Sequence, residues 1–254
     1  MKHNIEPIIN QYFSCHQILL ATYASYQKRD YEMIFAESWG FKYEKDDHNF
    51  GTSLHPGYQN RRKLLFEKFH GIKIKEVQYT NRKNLIDLIK SILPYSPIIL
   101  YHNAYNCPWN ISYRRNRIDH YILINGIDER IGCLYVLDPF STKDENTIDI
   151  NSVGQDNGSI YIFETMQINP LQTKEYHAEI TNTLNHMENT KFFHNLSNFY
   201  DDFQDCFEEV VMSEYTDIYA IPLILNLSRI SYQRHCYCIF LNKMVEKDLI
   251  DSLV

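Results

Sequence analysis

Apolar and polar positions along this chain follow two different periods. Residues 15–27, CHQILLATYASYQ, carry apolar side chains at 18, 19, 20, 21, 23 and 24, a broad stripe that predicts a buried helix. Ser14 is its expected N-cap, so Cys15 falls on the first turn. A second helix is expected from Arg61 to Phe69, ended by Gly71, and a third from Asn84 to Leu93, ended before Pro94. After Pro97 the period shortens. Ile98–Tyr101, Tyr121–Ile124 and Leu134–Leu137 are short, β-rich apolar runs between polar or glycine-containing turns, and they read as adjacent antiparallel strands. Ser159–Glu164 is a further strand, announced by the Asn157-Gly158 turn signal. From Glu175 onward the pattern is helical again: Ile180, Leu184, Met187 and Phe192-Phe193, then Ile218 to Ile230 and Cys236 to Leu249.

The expected order is helices first, then sheet, then helices: an α+β chain with residues 1–170 as one domain and 171–254 as a helical subdomain. There is no internal repeat and no low-complexity linker. With 254 residues, 44% hydrophobic and 14% aromatic, the chain can bury a sizeable core. A formal charge of -7 argues against general nucleic-acid binding, which needs a basic surface. The first residues, MKHNIEPIINQYFSCHQ, lack the apolar run of a secretory signal, and the apolar stretch at Ile218–Leu225 is too short to span a bilayer. Six scattered cysteines without a disulfide framework fit a reducing compartment, so a soluble, cytoplasmic protein is expected.

The candidate nucleophile is Cys15. A cysteine attacks as its thiolate, and a helix N-terminus favours negative charge. His120 enters one predicted strand and Asp138 leaves the next, in the stretches Asp119-His120-Tyr121 and Leu137-Asp138-Pro139. A tight turn between them places both side chains at one end of a hairpin. That is the arrangement of a base and the carboxylate that orients it. The chain order, helix-borne Cys, strand His, strand-end Asp, is that of papain-like enzymes.

Residues 13–165 resemble the N-terminal domain of the butirosin-biosynthesis H protein family. The resemblance is carried by Cys15 heading a helix, Ile34-Phe35, Trp39-Gly40-Phe41 and Tyr43, the strand Pro97–Tyr101, His120, Asn125-Gly126-Ile127-Asp128, and Tyr135-Val136-Leu137-Asp138-Pro139. It implies a papain-like fold related to the bacteriocin-processing peptidases. It also implies transfer of an acyl or aminoacyl group from a carrier-protein thioester, through an acyl-cysteine, to an amine, beside nonribosomal peptide synthetases. No cofactor would be bound permanently; the substrate would arrive on the phosphopantetheine of a carrier protein. Ala36–Lys42 stands where a glycine-rich stretch is expected.

For the oxyanion, the backbone N–H of Cys15 and the side chain of Gln11, with Asn10 as second choice, are the candidates. His102, Tyr105, Trp109 and Tyr121 are expected to line the substrate pocket, while His16 is read as a packing or surface residue. The run Pro108–Arg117 reads as a lid. Its Arg114, Arg115 and Arg117 would suit a phosphate or an acidic carrier surface, as would Arg61-Arg62-Lys63. His235-Cys236-Tyr237-Cys238 lacks a second ligand cluster and falls in a helix, so no metal is expected. A cysteine peptidase or amidase using the same residues, and a noncatalytic protein that docks on a synthetase, are the alternatives.

Overall fold

The computed structural model describes residues 2–45, 50–57, 61–154, 158–167, 171–203 and 221–250. Cys206, Asn157 and the start of the helix expected at Ile218 lie outside the described residues. The protein is mixed α+β and divides into two compact units: residues 1–31 with 66–168, and residues 32–65 with 169–254. Residues 32–65, expected with the first domain, thus belong to the second unit.

In the first unit, helix α1 (Cys15–Tyr26) starts from a reciprocal cap. Ser14 Oγ accepts from the Gln17 backbone N–H and Gln17 Oε1 accepts from the Ser14 N–H. The stripe Ile18, Leu19, Leu20, Tyr23 is fully buried, and the Tyr23 ring stacks on Phe163 with centroids 3.6 Å apart. Truncating such a leucine costs about 2–5 kcal/mol. Helix α2 (Arg62–His70) has its first four residues in the second unit and the rest in the first; it ends at Gly71, whose positive φ stops it, and α3 (Arg82–Ile92) is capped by the Asn81 side chain.

The sheet is antiparallel with six strands. These are β3 (Ile72–Tyr79), β4 (Ile98–Asn103), β5 (Asp119–Asp128), β6 (Cys133–Leu137), β7 (Glu145–Asp149) and β8 (Gly158–Thr165), in the order β3-β8-β4-β5-β6-β7. The three central runs do lie side by side, but β3 intervenes between α2 and α3, so the order is not helices first and then sheet. Ile98 and Leu100 on β4 face Ile124 and Ile122 on β5 and pack with Leu85 and Ile89 of α3. The same row continues to the cross-strand pair His102 and His120 at the sheet's end.

The second unit contains the short strands β1 (Lys42–Tyr43) and β2 (Leu54–His55) and the helices α4 (Thr173–Asn189), α5 (Phe192–Asp202) and α6 (Pro222–Glu246). Helix α6 runs unbroken where two helices were expected. Its core is Phe41, Tyr43, Leu54, Phe192, Ile221 and Leu223. Buried Glu37 pairs with Arg62, and buried Glu179 with Arg61 at 3.0 Å. Gly40 leaves room for the Gly57 carbonyl, which an added Cβ would meet at 2.1 Å. No helix among the described residues is long and apolar enough to cross a membrane.

Candidate active site

Cys15 is the first residue of α1 and is half-buried. Its backbone N–H, at the first turn, has no acceptor within the helix and points along the axis, where negative charge is favoured. His120, at the start of β5, is 3% exposed and Asp138, just past β6, is 1% exposed. His120 Nε2 lies 2.9 Å from Asp138 Oδ2. Cys15 also acts on the ring, by hydrogen bonding and by charge, in the direction that favours the imidazolium, and because Asp138 engages Nε2, Nδ1 is the nitrogen left for the sulfur. The hairpin brings His120 and Asp138 to the same end because Leu123 on β5 pairs with Leu137 on β6. The structure thus brings Cys15, His120 and Asp138 together, with His120 and Asp138 directly hydrogen-bonded and Cys15 acting on the imidazole.

The electrostatics favour a charged histidine. Burial alone would pull His120 down, but the hydrogen bonds to Asp138 and Cys15 and the charges on both outweigh it. The imidazole is pushed up to about 9. Burial likewise opposes ionisation of Asp138, yet His120, Ser141 and Trp109 hold its carboxyl below the usual range. At neutral pH the pair is imidazolium and carboxylate, the form that leaves His120 with a proton to give.

His102, directly opposite His120, is pushed down to about 4 by burial and then by the charge of His120. It stays neutral, and its buried Nε2 has no hydrogen-bond partner. Cys107 is pushed up to about 12 by burial and by Asp138, so its thiol is inert. Tyr121 is half-buried between His16, at 5.2 Å between centroids, and Tyr161, at 5.8 Å. Its phenol is held protonated by burial, by its hydrogen bond with Tyr161 and by the nearby Cys15.

Trp109 donates from Nε1 to Asp138 Oδ2 at 2.7 Å, which places it behind the carboxylate as an orienting group. Tyr105 lies under Arg114 and Arg117, with the guanidinium carbons 5.5 and 5.4 Å from its centroid. The segment expected as a lid is braced by successive turns, Asn110 N–H to Cys107 O, Tyr113 N–H to Asn110 O and Arg114 N–H to Tyr105 O. Gln11 is exposed and lines a groove of about 360 Å³ with Ile9, Asn10 and Pro139–Lys143. Phe140, which the sequence reasoning passed over, packs its ring 5.9 Å from that of His120. Its position two residues after Asp138 was the available signal. His235 to Cys238 lie on α6 with Cys236 buried and Cys238 exposed, so the two sulfurs face apart. No group of metal-ligating side chains occurs among the described residues.

A nucleophile at a helix N-terminus, a histidine able to donate and accept, and a buried carboxylate holding that histidine can form and break an acyl-cysteine. No protein-family model matches the chain, and no curated protein sequence matches it significantly.

Proposed function

We propose that this protein is a cysteine acyltransferase of papain-like organisation. It takes an acyl or aminoacyl group from a carrier-protein thioester onto Cys15 and delivers it to an amine, in cytoplasmic nonribosomal-peptide-type biosynthesis. The observation that carries this reading is the cluster in which His120 and Trp109 both hydrogen-bond Asp138 Oδ2 while Cys15, at the head of α1, acts on the His120 ring.

In the first half, the Cys15 sulfur attacks the thioester carbonyl and the oxygen takes up negative charge beside the Cys15 N–H. Collapse breaks the donor C–S bond, and His120 gives its proton to the departing sulfur. Neutral His120 then accepts a proton from the incoming amine as the amine attacks the acyl-cysteine. Collapse forms the amide and returns the Cys15 thiolate beside the imidazolium. Asp138 keeps its charge throughout and holds Nε2, while Trp109 fixes the carboxylate. Thioester exchange is nearly isoenergetic, so positioning accounts for most of what is needed. The exposed Arg114, Arg115 and Arg117 suit an acidic carrier surface. The described cysteines are free thiols, in keeping with a reducing compartment.

Half-burial of Cys15 also admits water, which favours a second reading, hydrolysis of the same acyl-cysteine. One experiment addresses both: intact-protein mass after incubation with aminoacyl thioesters, for wild type, Cys15→Ala and His120→Ala. The expected result is an adduct on wild type that is absent from Cys15→Ala and slow in His120→Ala. Added amines should release it as amide faster than water releases acid. Release as acid alone would establish the hydrolase. No adduct, with Cys15 no more readily alkylated than the other cysteines, would refute the catalytic reading.

A further inference from the structure

The groove beside the triad has two walls, and each is tied to an element that carries a catalytic residue. On one side are Ile9, Asn10 and Gln11, leading into α1. This stretch is held by the Ile8 N–H donating to Thr22 Oγ1 at 3.1 Å, by the Phe13 N–H donating to Asn10 O, and by Asn10 Oδ1 accepting from Tyr12 N–H. On the other side is Pro139–Lys143. There the Ser141 and Thr142 N–H groups both bond the carbonyl of Asp138, and Asn110 Nδ2 donates to Ser141 Oγ at 2.8 Å. Neither wall can shift without moving the nucleophile's helix or the carboxylate's turn.

The lining has a definite chemical character. The Asn10 amide nitrogen, the Gln11 amide and the Thr142 hydroxyl line the groove, while Ile9 and Phe140, 58% and 54% exposed, offer uncovered apolar surface. Among the described residues, Lys143 is the only charged one lining the groove, in a chain whose formal charge is -7. Position then assigns the role. The donor sulfur must leave next to the proton on His120, and Phe140, which lines the groove, has its ring 5.9 Å from that of His120. A substrate portion lying here is therefore beside the imidazole that protonates the leaving sulfur.

We infer that this groove is the subsite for the pantetheine arm of the acyl donor, with Lys143 receiving its phosphate; the inference rests on the thioester-transfer reading above. The arm's two amides match the Asn10, Gln11 and Thr142 groups. Its dimethyl carbon matches the apolar surface of Ile9 and Phe140, and its terminal phosphate matches Lys143. A groove of about 360 Å³ suits an extended arm and not a folded carrier domain. When the donor C–S bond breaks, the arm's sulfur takes the His120 proton and the arm withdraws along the groove. The same space then admits the amine, whose proton His120 must accept, so donor and acceptor bind in turn.

The test compares one acyl group on three thiols, N-acetylcysteamine, pantetheine and 4'-phosphopantetheine, by the rate of adduct formation on Cys15. In wild type the phosphopantetheine thioester is expected to react about fivefold faster than the pantetheine thioester, as suits one partly screened ion pair. Lys143→Glu should bring that ratio to one or below, and Lys143→Arg should keep it. The N-acetylcysteamine rate of each variant serves as its own denominator, so a misfolded variant loses every rate and not the ratio. Equal rates for the pantetheine and phosphopantetheine thioesters, or a ratio unchanged in Lys143→Glu, would overturn the subsite while the short thioester's adduct leaves the transferase standing. No adduct from any thioester would overturn the transferase itself.

Discussion

Replacing Asp138 by Asn tests the electrostatic heart of the site. His120 is buried, and burial is the largest single influence on it, yet its pKa is raised from 6.5 to about 9. That difference corresponds to about 3 kcal/mol in favour of the imidazolium. The hydrogen bond to Asp138 stands first among the influences that raise it, ahead of Cys15. In Asp138→Asn the negative charge is gone and burial prevails, so the imidazole should titrate near or below 6.5. At pH 8 the protonated share would fall from roughly nine-tenths to roughly a few per cent, a loss of about thirtyfold in the form that, in the proposed mechanism, protonates the leaving thiol. The assays are histidine ring-proton NMR across pH 5–10 and the rate of acyl-cysteine formation over the same range. The wild-type rate should decline as pH rises through about 9, and the variant's decline should lie near 6.5. Stability follows with a defined sign. A histidine raised by folding contributes fully below 6.5 and loses that contribution as pH rises through about 9, by up to about 3 kcal/mol. Wild-type chemical stability should therefore fall across this window, and that of the variant should be nearly flat. A wild-type His120 that titrates at 6.5, or a variant with the wild-type pH profile, would refute the reasoning.

Two further substitutions probe positions that hold the site and the second unit. Trp109→Phe removes the N–H that meets Asp138 Oδ2 at 2.7 Å and leaves a buried acceptor short of one partner. It should slow acyl-cysteine formation by about tenfold with little change in KM for a short thioester, and should lower stability by about 1–3 kcal/mol in urea unfolding; an unchanged rate would exclude the orienting role. Gly40→Ala should lower the thermal midpoint by several degrees, since its Cβ would meet the Gly57 carbonyl at 2.1 Å and the backbone there would have to give. An unchanged midpoint would show that this close approach relaxes freely.

Much of the site's framework was legible in the linear pattern. Helix α1 announced itself through its apolar stripe and Ser14, because capping and amphipathicity are properties of neighbours within one or two turns. The three central strands were visible as β-rich runs, and the turn between β5 and β6 implied that His120 and Asp138 share an end. Strand β3 is hard to read from sequence, although Ile72 and Ile74 alternate with lysines, because the consecutive polar residues Lys75 and Glu76 break the alternation before Val77 and Tyr79. Strand β7 lies at the sheet edge and buries only Ile148. Such strands are defined by their partners more than by their own composition.

The chain's order of residues determined which groups could act, Cys15, His120 and Asp138, and the local elements that present them. Only the tertiary structure decided their electrical state and surroundings. The register of β4 against β5 sets His102 beside His120 and keeps it neutral. The path of the 104–118 loop turns Trp109 onto Asp138. The turn after Asp138 carries Phe140 against His120 and opens the groove ending at Lys143. Residues 32–65 join the second unit. These features rest on contacts between residues far apart in the chain, whose pairing depends on where the whole backbone runs. Local periodicity and capping carry no record of that path.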